Sequence, residues 1–344
     1  GIGWQETGSS YAVAPGRVLK DDGTPYRVYT PFYKGWVRHG WRAPAVDPQV
    51  WPTWTMPVDC DGYPDVTPVP ELTLPAAGEQ AALRRWRDFQ AEHLDHYDEQ
   101  RNRPDLDATS RLSIPLSLGE IHPRTLLAEL GDSAGHETFR KELAWREFYA
   151  DVLHSRPDTV VRYYNPAFER MEYDTGPAAQ ARFAAWAEGR TGYPFVDAGM
   201  RQLRAEGWMH NRVRMVVASF LVKDLHLEWQ QGAAHFERWL LDFDSASNAH
   251  GWQWTAGCGT DASPYYRVFN PVGQGRKFDP DGHYVRRYIP ELRHIDGGDV
   301  HEPWTVPGGL ESGYPPPIVE HHAEREEALA RLEAIKATPA PPAG

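Results

Sequence analysis

From residue 79 onward, apolar side chains recur at helical spacing. In EQAALRRWRDFQAEHLDHYDEQ (79–100) the repeat runs through Leu83, Trp86, Phe89 or Gln90, and Tyr97 after His93. TFRKELAWREFYADVLH (138–154) turns Phe139, Leu143, Phe148 and Val152 to one side. VDAGMRQLRAEG closes on Gly207, the residue type that ends helices in a left-handed turn. NRVRMVVASFLVKDL buries a stripe of Val213, Val217, Phe220 and Leu225, AAHFERWLLDF follows, and EHHAEREEALARLEAIK reads as a polar terminal helix. Almost nothing after residue 79 alternates with period two. The pattern predicts a mainly α domain over 79–336, with the tail 337–344 disordered.

The first 78 residues read differently. YAVAPGRVL and PYRVYT are short β-branched and aromatic runs around the turn DDGTP, so 1–30 look like edge material of another fold. Pro44, Pro48, Pro52, Pro57, Pro64, Pro68, Pro70 and Pro75 then argue for a connector over 31–78, since proline removes a donor and fixes φ.

Composition narrows the class. Two cysteines among 344 residues, Cys60 and Cys258, are too few for a disulfide framework, which fits a reducing cytoplasm. No apolar run reaches the roughly 18 residues of a membrane helix, and GIGWQETGSS lacks the regions of a signal peptide. Trp 14, Tyr 16 and Phe 12 imply a large aromatic core or an aromatic-lined cavity. A formal charge of −12 disfavours nonspecific attraction to nucleic acid, yet a local basic patch survives because salt screens charges beyond about 10 Å.

Three stretches hold polar groups that a bundle core would not use. Hydroxyls in TSRLS (109–113) ahead of a helix suit a phosphate, or merely cap the helix. In GWMHNRVRM, Asn211, Arg214 and Met215 share a helix face beside Arg212, as a site or as a solvated helix start. DFDSASNAHGWQW (242–254) interleaves Asp242, Asp244 and Asn248 with Trp252 and Trp254. Paired carboxylates can hold a metal, but no His or Cys spacing accompanies them, so no metal is expected.

Together with ELAWREFY, RTGYPFVDAGMRQLRAEGWMHNRVRMVVASFLVKDL, DFDSASNAHGWQWTAGCGTDASPYYRVFNPVGQGRKFD and HEPW, these stretches resemble the photolyase/cryptochrome family over residues 8 to 335. The nearest likeness is to class I cyclobutane pyrimidine dimer photolyases. That resemblance implies the family's helical FAD-binding domain, preceded here by the proline-rich connector and a remnant of an α/β antenna domain. It also implies FAD as cofactor, damaged DNA as partner, light-driven splitting of pyrimidine dimers, and a monomer in the bacterial cytoplasm with no membrane attachment.

Roles follow by position from the resemblance. Tyr97, Thr109, Ser110, Arg111, Leu112 and Ser113 match residues that hold the FAD phosphates, and Phe139 and Phe243 match others along the cofactor. Asp242 and Asp244 match a pair at the flavin ring and ribose, Arg214 the basic partner of the first, and Asn248 the residue facing flavin N5. Glu142 and Trp145 match a carboxyl and an indole that receive the lesion. Trp254 matches the opposite wall, and Asn211, Met215 and Gln274 further lesion contacts. Arg101, Arg146 and Arg212 match contacts to the lesion or its strand. Trp252 and Trp229 match the inner members of an electron relay, and Tyr173 falls where a third tryptophan is usual, in a polar segment that predicts exposure; Trp186 is the rival terminus.

Two features bear on specificity. The (6-4) photolyases carry His-His where this chain has His210-Asn211, and plant-type cryptochromes carry an aspartate where it has Asn248. Both favour dimer repair over the alternative, a cryptochrome-like signalling flavoprotein. Because residues 1–30 resemble only the closing segment of the antenna domain, a folate or deazaflavin antenna pigment is not expected to bind this chain. A flavin-free helical module that binds nucleic acid is the other alternative, distinguished by the absence of yellow colour.

Overall fold

The computed structural model describes residues 8–46, 72–261 and 266–337. Cys60, Pro48 to Pro70 of the proline-rich stretch, and the tail from 338 lie outside the described residues. The described chain is helical: α1 (Tyr29–His39), α2 (Glu79–Glu92), α3 (Tyr97–Gln100), α4 (Ser113–Leu118), α5 (Pro123–Ala128), α6 (Ala134–Ser155), α7 (Pro177–Ala187), α8 (Pro194–Glu206), α9 (Asn211–Lys223), α10 (Trp229–Trp239), α11 (Ser245–Ala256), α12 (Pro271–Phe278), α13 (His283–Tyr288) and α14 (His321–Ala337).

Two departures from the pattern have physical causes. The continuous helix expected over 79–100 breaks at His93 into a 3-10 turn before α3. There the start of α6 crosses so closely that a Cβ on Gly135 would lie 2.0 Å from the Leu94 carbonyl oxygen. The second departure is at the start of the chain. Residues 11–28 form no strand among the described residues, only an isolated bridge between Leu19 and Pro25. Their backbone donors go to buried carboxylates of α6 instead. Glu147 accepts from Ala12 N and, at 3.1 Å, from Val13 N, and Asp151 accepts from Gly16 N at 2.7 Å. Helix α1 then crosses the boundary drawn at 30/31 and occupies the start of the proposed connector.

Packing gathers the buried side chains into two clusters. One, which we call the N-side, holds Val13, Phe32, Trp36, Trp86, Phe139 and Phe148, from the first segment and α1, α2 and α6. The other, the C-side, holds Trp186, Phe195, Phe220, Trp229, Trp252 and Tyr284, from α7 to α13. Within the C-side α10 and α11 touch through Gly232, where a Cβ would sit 2.1 Å from the Trp252 ring. Any larger residue would displace that indole. The joint between the clusters, where α6 meets α11, leaves room for a cavity.

Candidate functional site

A cavity of about 490 Å³ opens at that joint, within the range of ligand-sized clefts. One wall comes from α3, α4 and α6, and the other from α9, α11 and the turn before it. The structure brings nearly all the expected site residues to it.

At one end stand Tyr97, Phe139 and the run before α4, with Ser110, Leu112 and Ser113 lining the cavity. Leu112 leads into α4 without a side-chain cap, and its own N–H donates to Ser110 Oγ at 3.3 Å. Ser113 Oγ accepts from the Trp208 indole at 3.1 Å, and the Thr109 hydroxyl is buried without a partner. Arg111 departs from expectation. Its φ of 51° turns the side chain away, onto Trp208 at 4.4 Å and into ion pairs at 2.9 Å with Asp107 and Glu206. Only its backbone remains to serve a ligand in this cavity.

At the other end, Arg214 Nη2 donates to Asp242 Oδ2 at 2.7 Å, while Asp242 Oδ1 is buried with no partner. Asp244 caps α11, accepting from Ser247 N at 2.7 Å, which explains one of the two aspartates by helix geometry alone. The Asn248 amide nitrogen donates to the Ala233 carbonyl at 3.1 Å. That bond orients the side chain and leaves the amide oxygen to the cavity. A Cβ on Gly251, which also lines the cavity, would meet nothing within 4 Å, and the Trp252 indole N–H is unpartnered. Phe243 completes this end, its carbonyl held by Ser117 at 2.6 Å.

The mouth carries the residues expected to meet DNA. Glu142 pairs with Arg101 at 2.8 Å, and burial pushes its carboxyl up from the ordinary value while Arg101 pulls the other way. Trp145 and Trp254 line the cavity, as do Asn211, Arg212 and Met215 on the first turns of α9. Arg212 donates to Asn102 Oδ1 at 2.8 Å and lies 4.6 Å over the Phe278 ring. Arg146 reaches the cavity too, but its guanidinium donates to the Ser10 and Leu116 carbonyls at 3.1 and 3.2 Å, and so ties the first segment to α4. Gln274, on α12, lies outside the lining, with its Oε1 buried and unpartnered.

The relay residues lie deeper. Trp252 packs edge-on against Phe236, with ring centres 5.0 Å apart. Trp229 is fully buried and meets Tyr163 edge-on at 6.1 Å. Tyr173 is half-buried, not exposed. Its hydroxyl hydrogen-bonds to Tyr163, which donates to Glu228 Oε1 at 3.1 Å. Trp186, the rival terminus, is 0% exposed.

Sequence reasoning missed Tyr149, Ser117 and Ser247, which also line the cavity. Tyr149 was within reach of it. It follows Glu142, Trp145 and Arg146 at helical spacing on the face already identified. The two serines carry no such signal.

The lining suits FAD: the Ser110, Ser113 and nearby Thr109 hydroxyls at one end for phosphates, and at the other the unpartnered Asp242 carboxylate oxygen, the Asn248 amide and aromatic faces for a flavin. Comparisons with known proteins agree. Residues 139–334 match the family model described as the FAD binding domain of DNA photolyase. The chain is 41% identical to the deoxyribodipyrimidine photo-lyase of Alkalihalophilus pseudofirmus, over 93% of this chain and 70% of that protein. It is 39% identical to the Escherichia coli protein of the same name, over 95% and 72%. A bacterial class III photolyase from Agrobacterium tumefaciens superimposes with a TM-score of 0.80 at 40% identity, covering 96% of this chain and 72% of that one. A Synechocystis cryptochrome superimposes with a TM-score of 0.81 at 29% identity, covering 93% and 71%.

Proposed function

The chain belongs to the DNA photolyase/cryptochrome family, and from that premise we propose how its own residues carry out the family's chemistry. It is a deoxyribodipyrimidine photo-lyase, a carbon–carbon lyase that binds FAD and acts on damaged DNA. When bound, the flavin supplies the light-driven one-electron chemistry. The protein contributes position, exclusion of water and electrostatics.

Thr109, Ser110 and Ser113 would hold the phosphates of FAD, beside Tyr97 and Phe139. Asp242, fixed by Arg214, and Asn248 would serve the flavin end, with Phe243 and Asp244 beside them. The lesion enters the mouth as a flipped-out dimer between Trp145 and Trp254. Flipping costs a few kcal/mol, less where pairing is already damaged, and stacking on aromatic walls returns roughly 1–3 kcal/mol per base. Glu142, exchanging its Arg101 partner for the lesion, hydrogen-bonds the base edge, and Asn211 and Met215 complete the floor. Arg101 and Arg212 face the strand, and Gln274 approaches it from α12. We propose a monomer working in the cytoplasm, as the family resemblance implies. No described helix is long and apolar enough to cross a membrane.

One observation carries this reading: the two indoles at the mouth and the Arg214–Asp242 pair behind them line the same cavity. The test uses the flavin-loaded protein, a dimer-containing oligonucleotide and blue light. Restoration of intact pyrimidines in light but not in darkness is expected. A yellow protein that leaves dimers untouched in light would assign the chain to signalling instead.

A further inference from the structure

The two indoles at the mouth are held from behind by a single structural unit. Tyr29, the first residue of α1, lies flat against Trp145, with ring centres 3.7 Å apart and planes within 5°. Its hydroxyl donates to the Lys141 carbonyl at 2.7 Å, one turn before Trp145 on α6. One face of the Trp145 indole is therefore covered, and only the other can receive a ligand.

Trp254 is fixed by the loop after α11. Its indole N–H donates to the Asp261 carbonyl at 3.0 Å. Asp261 adopts a left-handed φ of 50°, a conformation that aspartate tolerates better than most residues. This turn sends the carbonyl toward Trp254 while the carboxylate takes the backbone N–H of Tyr29. Val28 gives α1 no side-chain cap, so Asp261 supplies an acceptor to the helix start from across the fold. A second bond closes the joint: the Thr260 hydroxyl donates to the Arg27 carbonyl at 2.7 Å.

We propose that residues 27–29 and 260–261 form a brace that sets the separation and tilt of Trp145 and Trp254, making Tyr29 and Asp261 positioning residues for lesion discrimination. The inference rests on the reading of those indoles as the cleft walls. Its physical basis is preorganisation. A slot held at one width receives a stacked dimer without first ordering its walls, whereas loose indoles stack on undamaged bases as readily. Neither Tyr29 nor Asp261 lines the cavity, so their effect passes entirely through the tryptophans.

The experiment compares affinity for an oligonucleotide carrying one dimer with affinity for its undamaged copy, using flavin-loaded protein. Tyr29→Leu and Asp261→Gly are expected to lower the dimer-to-undamaged ratio about tenfold, the lower part of what one stacked base contributes. Flavin content and undamaged-DNA affinity should stay unchanged. Tyr29→Phe, which keeps the ring, and Asp261→Asn, which keeps an acceptor, should restore the ratio. A merely structural role would move flavin content and both affinities together, and that result overturns the proposal. Trp145→Ala separates the two levels of argument. If it leaves the ratio intact, the cleft reading itself is wrong. If it collapses the ratio while Tyr29→Leu and Asp261→Gly do not, the walls are real and the brace is not.

Discussion

The two walls of the cavity treat their polar groups in opposite ways. On the C-side, Asp242 Oδ1 and the Trp252 indole N–H are buried without partners. Leaving a buried polar atom unsatisfied costs about 1–3 kcal/mol, so this wall waits for something that stays. On the N-side the groups close on one another: Arg101 on Glu142, and Tyr29 on Trp145. Those groups are satisfied when nothing is bound and must exchange partners when something arrives, whereas the Thr109 hydroxyl, at the far end of the same wall, is buried without a partner. A resident cofactor suits the first arrangement, and a visiting substrate the second.

Cutting each wall's main ion pair sharpens this contrast most. Asp242→Ala leaves the Arg214 guanidinium without its partner, a change that costs roughly 3–5 kcal/mol at buried pairs. The variant is expected to purify without yellow colour, and with no flavin it repairs nothing. Glu142→Ala frees Arg101 at a mouth that water reaches, so flavin absorbance should match the parent while dimer affinity falls about tenfold or more. The comparison breaks if Asp242→Ala keeps its flavin or Glu142→Ala loses it.

The same contrast explains what could be read in the sequence. The helical period located α6, α9 and α10 through their apolar stripes, and α14 as a polar terminal helix. Asp242 and Arg214 are 28 residues apart, and only the family resemblance linked them before the structure placed them at 2.7 Å. The first segment was misjudged for a definite reason. Its β-branched runs are real, but their hydrogen bonds go to Glu147 and Asp151, whose spacing on α6 reads as an ordinary polar face. Tyr29 was equally opaque, since no local pattern reveals that its ring covers Trp145. Arg111 shows the opposite limit. The family resemblance implied a phosphate contact there, and with a positive φ its side chain lies on Trp208 and pairs with Asp107 and Glu206.

Proton linkage distinguishes the two sides by sign. His301 is buried in the C-side near Arg276 and Arg286, and burial first, then those charges, lower it to about 4. A folded value below the unfolded 6.5 means stability is present above pH 6.5 and lost as pH falls toward 4. Over that window the group accounts for about 3 kcal/mol, at 1.36 kcal/mol per unit. Glu147, in the N-side, is shifted the other way. Burial raises its carboxyl despite the N–H groups of Ala12, Val13 and Trp36. A raised carboxyl contributes stability below its unfolded value and loses it as pH rises. Denaturant melts at pH 7 and pH 5 therefore make two statements. Relative to His301→Gln, the parent should weaken on acidification; relative to Glu147→Gln, it should not weaken, and it strengthens once the pH falls through the raised Glu147 value. Equal pH slopes in all three proteins would erase the distinction.

The smallest expected effect on repair lies furthest from the mouth. Tyr173 was expected at the surface, where water would take the phenolic proton of an oxidised tyrosine. The structure half-buries it, and burial together with the Tyr163 hydroxyl raises its phenol far above the ordinary value. Its hydroxyl has the Tyr163 hydroxyl as hydrogen-bonding partner. A hydrogen-bonded line runs from Tyr173 to Tyr163 and on to Glu228 Oε1 at 3.1 Å, and the Tyr163 ring meets Trp229 edge-on at 6.1 Å. We expect electrons to reach Trp252 and Trp229 from this pair, with the released proton moving toward Glu228. Transient spectroscopy during flavin photoreduction should detect a neutral tyrosyl signal, shortened or absent in Tyr173→Phe. If Tyr173→Phe keeps the signal and Tyr163→Phe removes it, the line ends one residue earlier. If neither variant changes it, the tyrosines are structural and the third donor lies elsewhere. Both variants should repair dimers at the parent's rate once the flavin is reduced chemically, because neither residue touches the cavity that receives the lesion.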